Sequence, residues 1–521
     1  MRALLSVDDK TGLIPFAERL QRLGWELLAT GGTGEALRAA GIPFTSIAEL
    51  TRSPEILGGR VKTLHPLIYG GILARRGNAN DEREAAEFAI PLIDLVAVNL
   101  YPFVDLLHNA ALSSSERIEL IDIGGVALLR AAAKNASDVV VVSQPSQYEE
   151  VASFLEAGGV PRAVRLRLAR QAFALTAAYD GAISSWFATQ TGELLPERLV
   201  LPLERRSVLR YGENPHQHAA FYALAAWRGE GIMLDRYRQL NGRELSFNNL
   251  LDLEAAFEAA SDFLEPTVVI VKHTNPCGLA SHDSLKEAYE QAHAGDPAAA
   301  YGGVIGANRI VDEATARAIR PRNYDAIIAP GYEPAALEIL RRKKKGEFIV
   351  LALEAPWRPI ALPQPGSYGQ LDVKRISGGL LVQEPDALPD EQIEFRVVSQ
   401  RAPTEAELRD LKFAFRVCKH VKSNCVVLAK DRAVLGIGAG QQSRVLAAEI
   451  AVKIAGERAG GSVMATDGFF PFPDGVERGI AAGITAVIHP GGSIRDAESI
   501  AVCNEHQVAM VVTSGVRHFK H

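Results

Sequence analysis

Two sets of residues in this 521-residue chain combine cations, proton carriers and glycines closely enough for catalysis. The first contains Gly59-Arg60-Val61-Lys62-Thr63-Leu64-His65-Pro66, then Asp122-Ile123-Gly124-Gly125 and Lys134-Asn135. The second contains Arg210-Tyr211-Gly212-Glu213-Asn214-Pro215-His216 and Lys272-His273-Thr274-Asn275-Pro276. Each pairs groups that hold anions with groups that give or take a proton. Two such sets imply two active sites and consecutive steps of one pathway.

In the first set, Gly31-Gly32-Thr33 follows an apolar run and precedes a helical pattern. Glycines there expose backbone N–H groups, and a helix N-terminus favours anions. Lys10, Arg60 and Lys62 add cations at other loop positions, which suits a phosphorylated substrate. A plain tight turn would use the same glycines, and Asp122, Lys134 and Asn135 could simply cap the two ends of one helix. In the second set, an apolar strand at 267–271 delivers Lys272 and His273. A lone histidine there is commonly structural. Here a lysine adjoins it, Asn-Pro and a glycine shape the turn, and both side chains reach one site if the strand bends. Further clusters are Ser423-Asn424-Cys425, the segment from Gly436 to Arg444, and Asp467-Gly468-Phe469-Phe470-Pro471-Phe472. Gly436-Ile437-Gly438-Ala439-Gly440 is not the full dinucleotide fingerprint and lacks its βαβ context, and no Walker A sequence occurs. NAD and ATP are not expected.

These residues need an α/β frame. Apolar runs at 4–7, 25–29, 92–98 and 139–142 alternate with helical spacing, as in Leu13, Phe16, Ala17, Leu20 and Leu23. That pattern predicts a parallel sheet with helices on both faces. Ligands of such sheets bind outside the strands' carboxyl ends, where loops hold Asp8, Lys10, Thr30 to Thr33, Asn99 and Tyr101. Residues 165–190 are helical in pattern, and Pro196 and Pro202 mark a boundary near 200. Two strand–helix groups follow, with a seam at Pro356, Pro359, Pro363, Pro365 and Gly366. The domains expected are 1–199, 200–370 and 371–521. No repeat of 20–50 residues is visible.

The net charge of −6 argues against a nucleic-acid partner. The run Arg341-Arg342-Lys343-Lys344-Lys345 reads as the solvated end of a helix. Four cysteines without C-x-x-C give no support for zinc and suggest a reducing, cytoplasmic setting. No uninterrupted apolar stretch approaches membrane-span length, so a membrane role is not expected.

The order and spacing of Arg60 to Pro66, Asn99-Leu100-Tyr101-Pro102-Phe103 and Asp122 to Asn135 resemble the inosine monophosphate (IMP) cyclohydrolases, over about residues 1–199. The motifs of the second set, with Arg517-His518-Phe519, resemble the aminoimidazole carboxamide ribotide (AICAR) formyltransferases over 200–521. The chain thus resembles the bifunctional purine-biosynthesis family joining the two. The resemblance implies a methylglyoxal-synthase-like parallel-sheet domain followed by two cytidine-deaminase-like α/β subdomains. It implies formyl transfer from 10-formyltetrahydrofolate to the 5-amine of AICAR, then dehydrative closure of the formamido product (FAICAR) to IMP. It places Lys134 in proton transfer, with Asp122, Tyr101 and Lys62 around the reacting groups. Lys10, Thr30, Gly31, Gly32, Thr33, Arg60, Thr63 and Asn99 would bind the ribotide. In the transferase it makes His273 the base, Lys272 the group assisting the oxyanion or the departing folate nitrogen, and Asn424 a partner of the tetrahedral centre. Arg210, Tyr211, Gly302, Asp325, Arg444, Phe469, Asp474, Ser493 and Arg517 fall on its ligand positions. Tyr301 stands where the family has phenylalanine. Val421-Lys422 replaces a hydroxyl-rich stretch near the monovalent cation (K+) of some members. The family's homodimer, with transferase sites shared between subunits, is expected. The alternative is a nucleotide- or folate-binding regulatory protein with inactive sites.

Overall fold

The computed structural model describes residues 1–57, 60–107, 109, 111–224, 237–353 and 371–521. Gly59 and the expected seam at Pro356, Pro359, Pro363, Pro365 and Gly366 lie outside the described residues. The chain forms two compact units, one running from Met1 to Glu204 and the other built from Arg205 onward.

The first unit carries five strands, β1 (Arg2–Val7), β2 (Glu26–Ala29), β3 (Thr45–Ser46), β4 (Leu95–Asn99) and β5 (Val140–Val142). They are all parallel, in the order β3-β2-β1-β4-β5. Their apolar runs are buried on both faces, as a parallel sheet covered by helices requires. The order reverses between β1 and β4, which opens a crevice beyond their carboxyl ends. The helix Leu13–Arg22 buries Leu13, Phe16, Ala17 and Leu20, the face read from their spacing. Residues 31–34 are not a separate turn after β2. They form the first turn of the helix Gly31–Ala39, with Thr30 as its N-cap.

In the second unit the two expected strand–helix groups share one twelve-stranded sheet. From one edge to the middle its strands are Tyr237–Asn241, Ile349–Leu353, Ala326–Ala329, Val304–Ala307, Thr267–Lys272 and Asn275–Ser281. From the other edge they are Arg396–Val397, Ala509–Val512, Ala486–His489, Val463–Thr466, Val426–Lys430 and Ala433–Gly438. The two series meet where Ala280 pairs antiparallel with Ala433. Reading inward, both alternate identically: antiparallel, parallel, parallel, antiparallel, then an antiparallel hairpin. The unit is therefore a structural duplication, longer than any repeat sought in the sequence. The helices Phe247–Ser261 and Glu405–Cys418 cover one face over a core contributed by both halves. The opposite face carries a separate core for each half.

The glycines at 278, 436 and 438 serve this packing. A Cβ on Gly278 would lie 1.8 Å from the carbonyl oxygen of Ala292, and one on Gly438 would lie 1.9 Å from that of Ala447. Helices thus press onto strand backbone, so Gly436 and Gly438 of the Gly-x-Gly-x-Gly run act in packing, while Gly440 has a φ of 64°. The basic run also differs from expectation. Lys343 is buried, its Nζ donating to the carbonyl of Arg320 at 3.0 Å, and burial lowers its pKa to about 8. Lys344 pairs with Asp325 at 2.5 Å.

Candidate active sites

In the first unit the β1–β4 crevice gathers most of the first set. Thr30, Gly31, Gly32 and Thr33 place a helix N-terminus there, with no side-chain cap and no acid in its first turn. Its free N–H groups and positive dipole end suit a phosphate. Lys10 leans over this turn: a Cβ on Gly32 would lie 4.0 Å from its Nζ. That ammonium donates to the carbonyls of Val7 and Asp8, both at 2.9 Å. Thr33 is fully used inside the protein, since its buried hydroxyl accepts from Val7 N and donates to Val7 O. Asn99, at the end of β4, is a staple: its Oδ1 accepts the amide of Asp9 at 2.9 Å and its Nδ2 donates to Asp9 O at 2.8 Å.

Asp122 sits over the start of the helix Gly124–Lys134, its Oδ1 accepting Gly125 N at 2.7 Å. A Cβ on Gly125 would lie 2.4 Å from the same carboxylate, which is why glycine follows. Burial pushes this carboxyl up, while the amides of Gly125 and Tyr101 pull it back. Asp8 and Lys62 are close enough to add charges of opposite effect. Lys62 itself lies 3.6 Å from Glu55. Tyr101 is 40% exposed, and its backbone amide points to Asp122. Thr63 is buried against Gly124, and His65 caps the helix Pro66–Leu73 through Nδ1. Tyr179, which the sequence reading missed, fixes the Asp122 loop. Its hydroxyl accepts Asp122 N at 2.8 Å and donates to Leu120 O at 3.1 Å.

Two expected members stand apart. Lys134 ends the eleven-residue helix that Gly124 begins, roughly 15 Å away at helical rise. It is exposed at the edge where β4 and β5 start, so it is not brought to Asp122 in this chain. The guanidinium of Arg60 is turned to Glu119, its Nε donating at 3.1 Å.

In the second unit the strand Thr267–Lys272 ends and reverses through His273 and Thr274, so both Lys272 and His273 reach one end of the sheet. Asn275 and Pro276 belong to the returning strand and not to a loop. The Nζ of Lys272 donates to the carbonyl of Tyr301 at 2.9 Å, beside Gly302, whose φ of 76° suits glycine. On the other side Asn275 Oδ1 accepts Lys422 N at 3.1 Å. The chain then continues to Asn424, whose Nδ2 donates to Gln441 O at 2.9 Å. This ties the hairpin to the loops at 422–424 and 439–441.

Arg444 is buried and does not face outward as a ligand residue would. Its Nη2 donates to Asn424 Oδ1 at 2.7 Å and its Nη1 binds Asp467, which is also fully buried. Asp467 in turn accepts Ser423 Oγ at 2.5 Å and Cys425 N at 3.1 Å. Arg444 thus aims Asn424 from behind. Arg517 lies over the rings of Phe469 and Phe519, at 5.3 and 5.7 Å to their centroids, and the tail is anchored by Ser423 N donating to Lys520 O. Arg210 stacks on Tyr211 at 4.7 Å, and their loop is held by Asn248 Nδ2 donating to Glu213 O. Asp325 is held between Arg243 and Lys344. Asp474 opens the helix Asp474–Ala481, and Ser493 Oγ accepts Arg495 N at 3.1 Å. Among the described residues these last three are engaged in local structure. Phe472, 52% exposed, offers an apolar face beside Arg495.

Two α/β units, each presenting proton carriers and cations at one end of a sheet, define a two-site enzyme. The model of the AICARFT/IMPCHase bienzyme matches residues 132–454, and that of the MGS-like domain matches 12–127. The bifunctional purine biosynthesis protein PurH of Myxococcus xanthus is 48% identical, with all of both chains covered. Those of Sorangium cellulosum and Listeria monocytogenes serotype 4b (strain F2365) are 47% and 45% identical, covering all of this chain and 99% and 100% of theirs. A solved chain titled "Crystal structure of ForH" is 43% identical over 36% of this chain and 96% of its own, with a TM-score of 0.33. The chain belongs to the AICARFT/IMPCHase bienzyme family.

Proposed function

We propose that this protein carries out the last two steps of IMP synthesis, with formyl transfer in the second unit and ring closure in the first. The observation that carries this reading is full-length identity of 48% to a bifunctional purine biosynthesis protein, together with two separate clusters of the right chemistry. In the transferase, the 5-amine of AICAR attacks the formyl carbon of 10-formyltetrahydrofolate. His273 accepts the amine proton, directly or through the neighbouring carboxamide. Lys272 and Asn424 donate to the oxygen of the tetrahedral intermediate, and the folate nitrogen leaves with a proton. Arg210, Tyr211 and Arg517 hold the ribotide, and Phe469 and Phe472 line the folate slot.

In the cyclohydrolase, the carboxamide nitrogen attacks the formyl carbon of the same molecule, so positioning supplies much of the rate. Asp122 takes the amide proton, and Lys62 or Tyr101 protonates the carbinolamine oxygen, which departs as water. The helix at Gly31 and Lys10 hold the phosphate. Lys134 has no step in this scheme, because it sits at the other end of the helix that Gly124 begins. The cyclohydrolase domain is assigned to about residues 1–199 and the transferase to 200–521, the latter divided near 370 into two deaminase-like subdomains. The working protein is a cytoplasmic homodimer in this reading.

The test supplies AICAR and 10-formyltetrahydrofolate, or preformed FAICAR, and separates the nucleotide products. Wild type should yield IMP from both. Asp122→Ala and Lys62→Ala should slow FAICAR closure by about 10² or more, and Lys134→Ala by much less. Wild type that is folded and turns over neither substrate would establish the binding-protein reading instead. A Lys134→Ala loss as large as that of Asp122→Ala would overturn the assignment of the closing step.

A further inference from the structure

We propose that Asp252 is a positioning residue of formyl transfer, its carboxylate holding the two-residue turn that carries His273. The inference rests on the transferase reading above. Both residues of the turn are left-handed, with φ of 55° at His273 and 63° at Thr274. Such a conformation is costly for a β-branched residue and persists only where the surroundings over-determine it. Asp252 supplies the restraint. Its Oδ1 accepts Thr274 N at 2.7 Å, and the amide of His273 points to the same carboxylate.

Asp252 is an odd residue for its place. It sits in the helix Phe247–Ser261 among buried Leu250, Leu253 and Ala256. An acid there is tolerated only when hydrogen-bonded. Burial pushes its carboxyl up, and the two turn amides pull it down. The same helix holds the neighbouring parts of the site. Asn248, one turn earlier, binds the loop of Arg210 and Tyr211, and Glu258 lies 3.4 Å from Lys520 of the C-terminal tail. Asp252 therefore sets the direction of His273 relative to the loops that would hold its substrate. A displacement of about 1 Å at such a group can cost about 10²-fold in rate.

The fold provides its own control. The second hairpin turns through Asp431 and Arg432, with φ of 53° and 58°. Asp410 of the helix Glu405–Cys418 accepts both amides, at 2.8 and 3.0 Å. That clamp is built alike but holds no member of either catalytic set.

Asp252→Asn replaces an acceptor by an NH2 group facing an amide N–H. It should lower the kcat of formyl transfer by about 10- to 100-fold while the KM for AICAR stays within about threefold. Asp410→Asn should leave kcat within about threefold. Thr274→Gly makes the left-handed turn inexpensive, so adding it to Asp252→Asn should recover part of the lost kcat. Should Asp252→Asn fail to fold, the double variant carries the same test. Unchanged kcat in Asp252→Asn, or an equal kcat loss in Asp410→Asn, would overturn the proposal. Wild type that forms neither FAICAR nor IMP from AICAR would overturn the transferase reading, and this inference with it.

Discussion

The two hairpins of the second unit are built to one plan and put to different ends. Each leaves a central strand through two left-handed residues, and each is clamped by an aspartate of the preceding helix. The same spacing separates Asp252 from Thr274 and Asp410 from Arg432. One turn presents His273 after Lys272, at the sheet end that also receives the loops at 422–424 and 439–441. The other presents Asp431 and Arg432 at the opposite end, where Ser281 N donates to Arg432 O and Arg432 lies near Glu265 and Asp283. The device belongs to the fold, and the proposed chemistry belongs to the residues placed on one copy of it.

The comparison can be broken most sharply by exchanging roles. His273→Ala should reduce formyl transfer by about 10² to 10⁴, the range of a general base. Asp431→Asn, which tolerates the same left-handed backbone, should leave transfer within about threefold. Product formation from AICAR measures both. Equal losses would mean that the second turn shares the chemistry.

A smaller effect tests whether the halves are equivalent in packing. Gly278→Ala and its counterpart Gly436→Ala each push a methyl into a helix carbonyl, of Ala292 and Ala451 respectively. Each should lower the stability of the second unit by about 1–3 kcal/mol, and by similar amounts. Urea unfolding of the two variants makes the comparison. A loss in only one would show that the duplication is not energetic.

The smallest expected difference lies in the caps. The first half's helix starts with the neutral capping box Ser246 and Asn249, the second's with Thr404 and Glu407. Burial raises the Glu407 carboxyl, but Arg401 and the amide and hydroxyl partners outweigh it, and its pKa falls to about 2 from 4.5. Its folded value is depressed, so its contribution is complete above about pH 4.5 and is lost as pH falls towards 2. Glu407→Gln should therefore flatten the fall of the unfolding midpoint between those values. Identical pH slopes in wild type and variant would remove Glu407 from the account.

Much of the site was legible because its motifs are short and local. Gly31, Gly32 and Thr33 behind an apolar run announced a helix N-terminus, and Lys272-His273 after a buried strand announced a turn that brings both side chains to one end of the sheet. What stayed hidden acts across long separations. Tyr179 reaches Asp122 from a helix whose pattern distinguishes no tyrosine. Asp252 had a faint signal, an acid inside Leu250-Leu251-Asp252-Leu253. Arg444 falls on a ligand position of the family it resembles, and sequence shows its charge without its partner. The buried Asp467 that claims it is set by a neighbouring strand.

By itself the sequence determined the elements, since apolar period, glycine and proline act over a few residues, and its motifs resembled those of a family with two chemistries. Tertiary structure decided which charged groups are free and which are spent. It sent Lys134 to the opposite end of the strands, because a helix of fixed rise separates it from Asp122. It joined two halves into one sheet through Ala280 and Ala433, and so chose which of two equal hairpins would meet the loops that complete a site. Pairing between distant strands depends on how whole surfaces bury one another, and no local spacing records that.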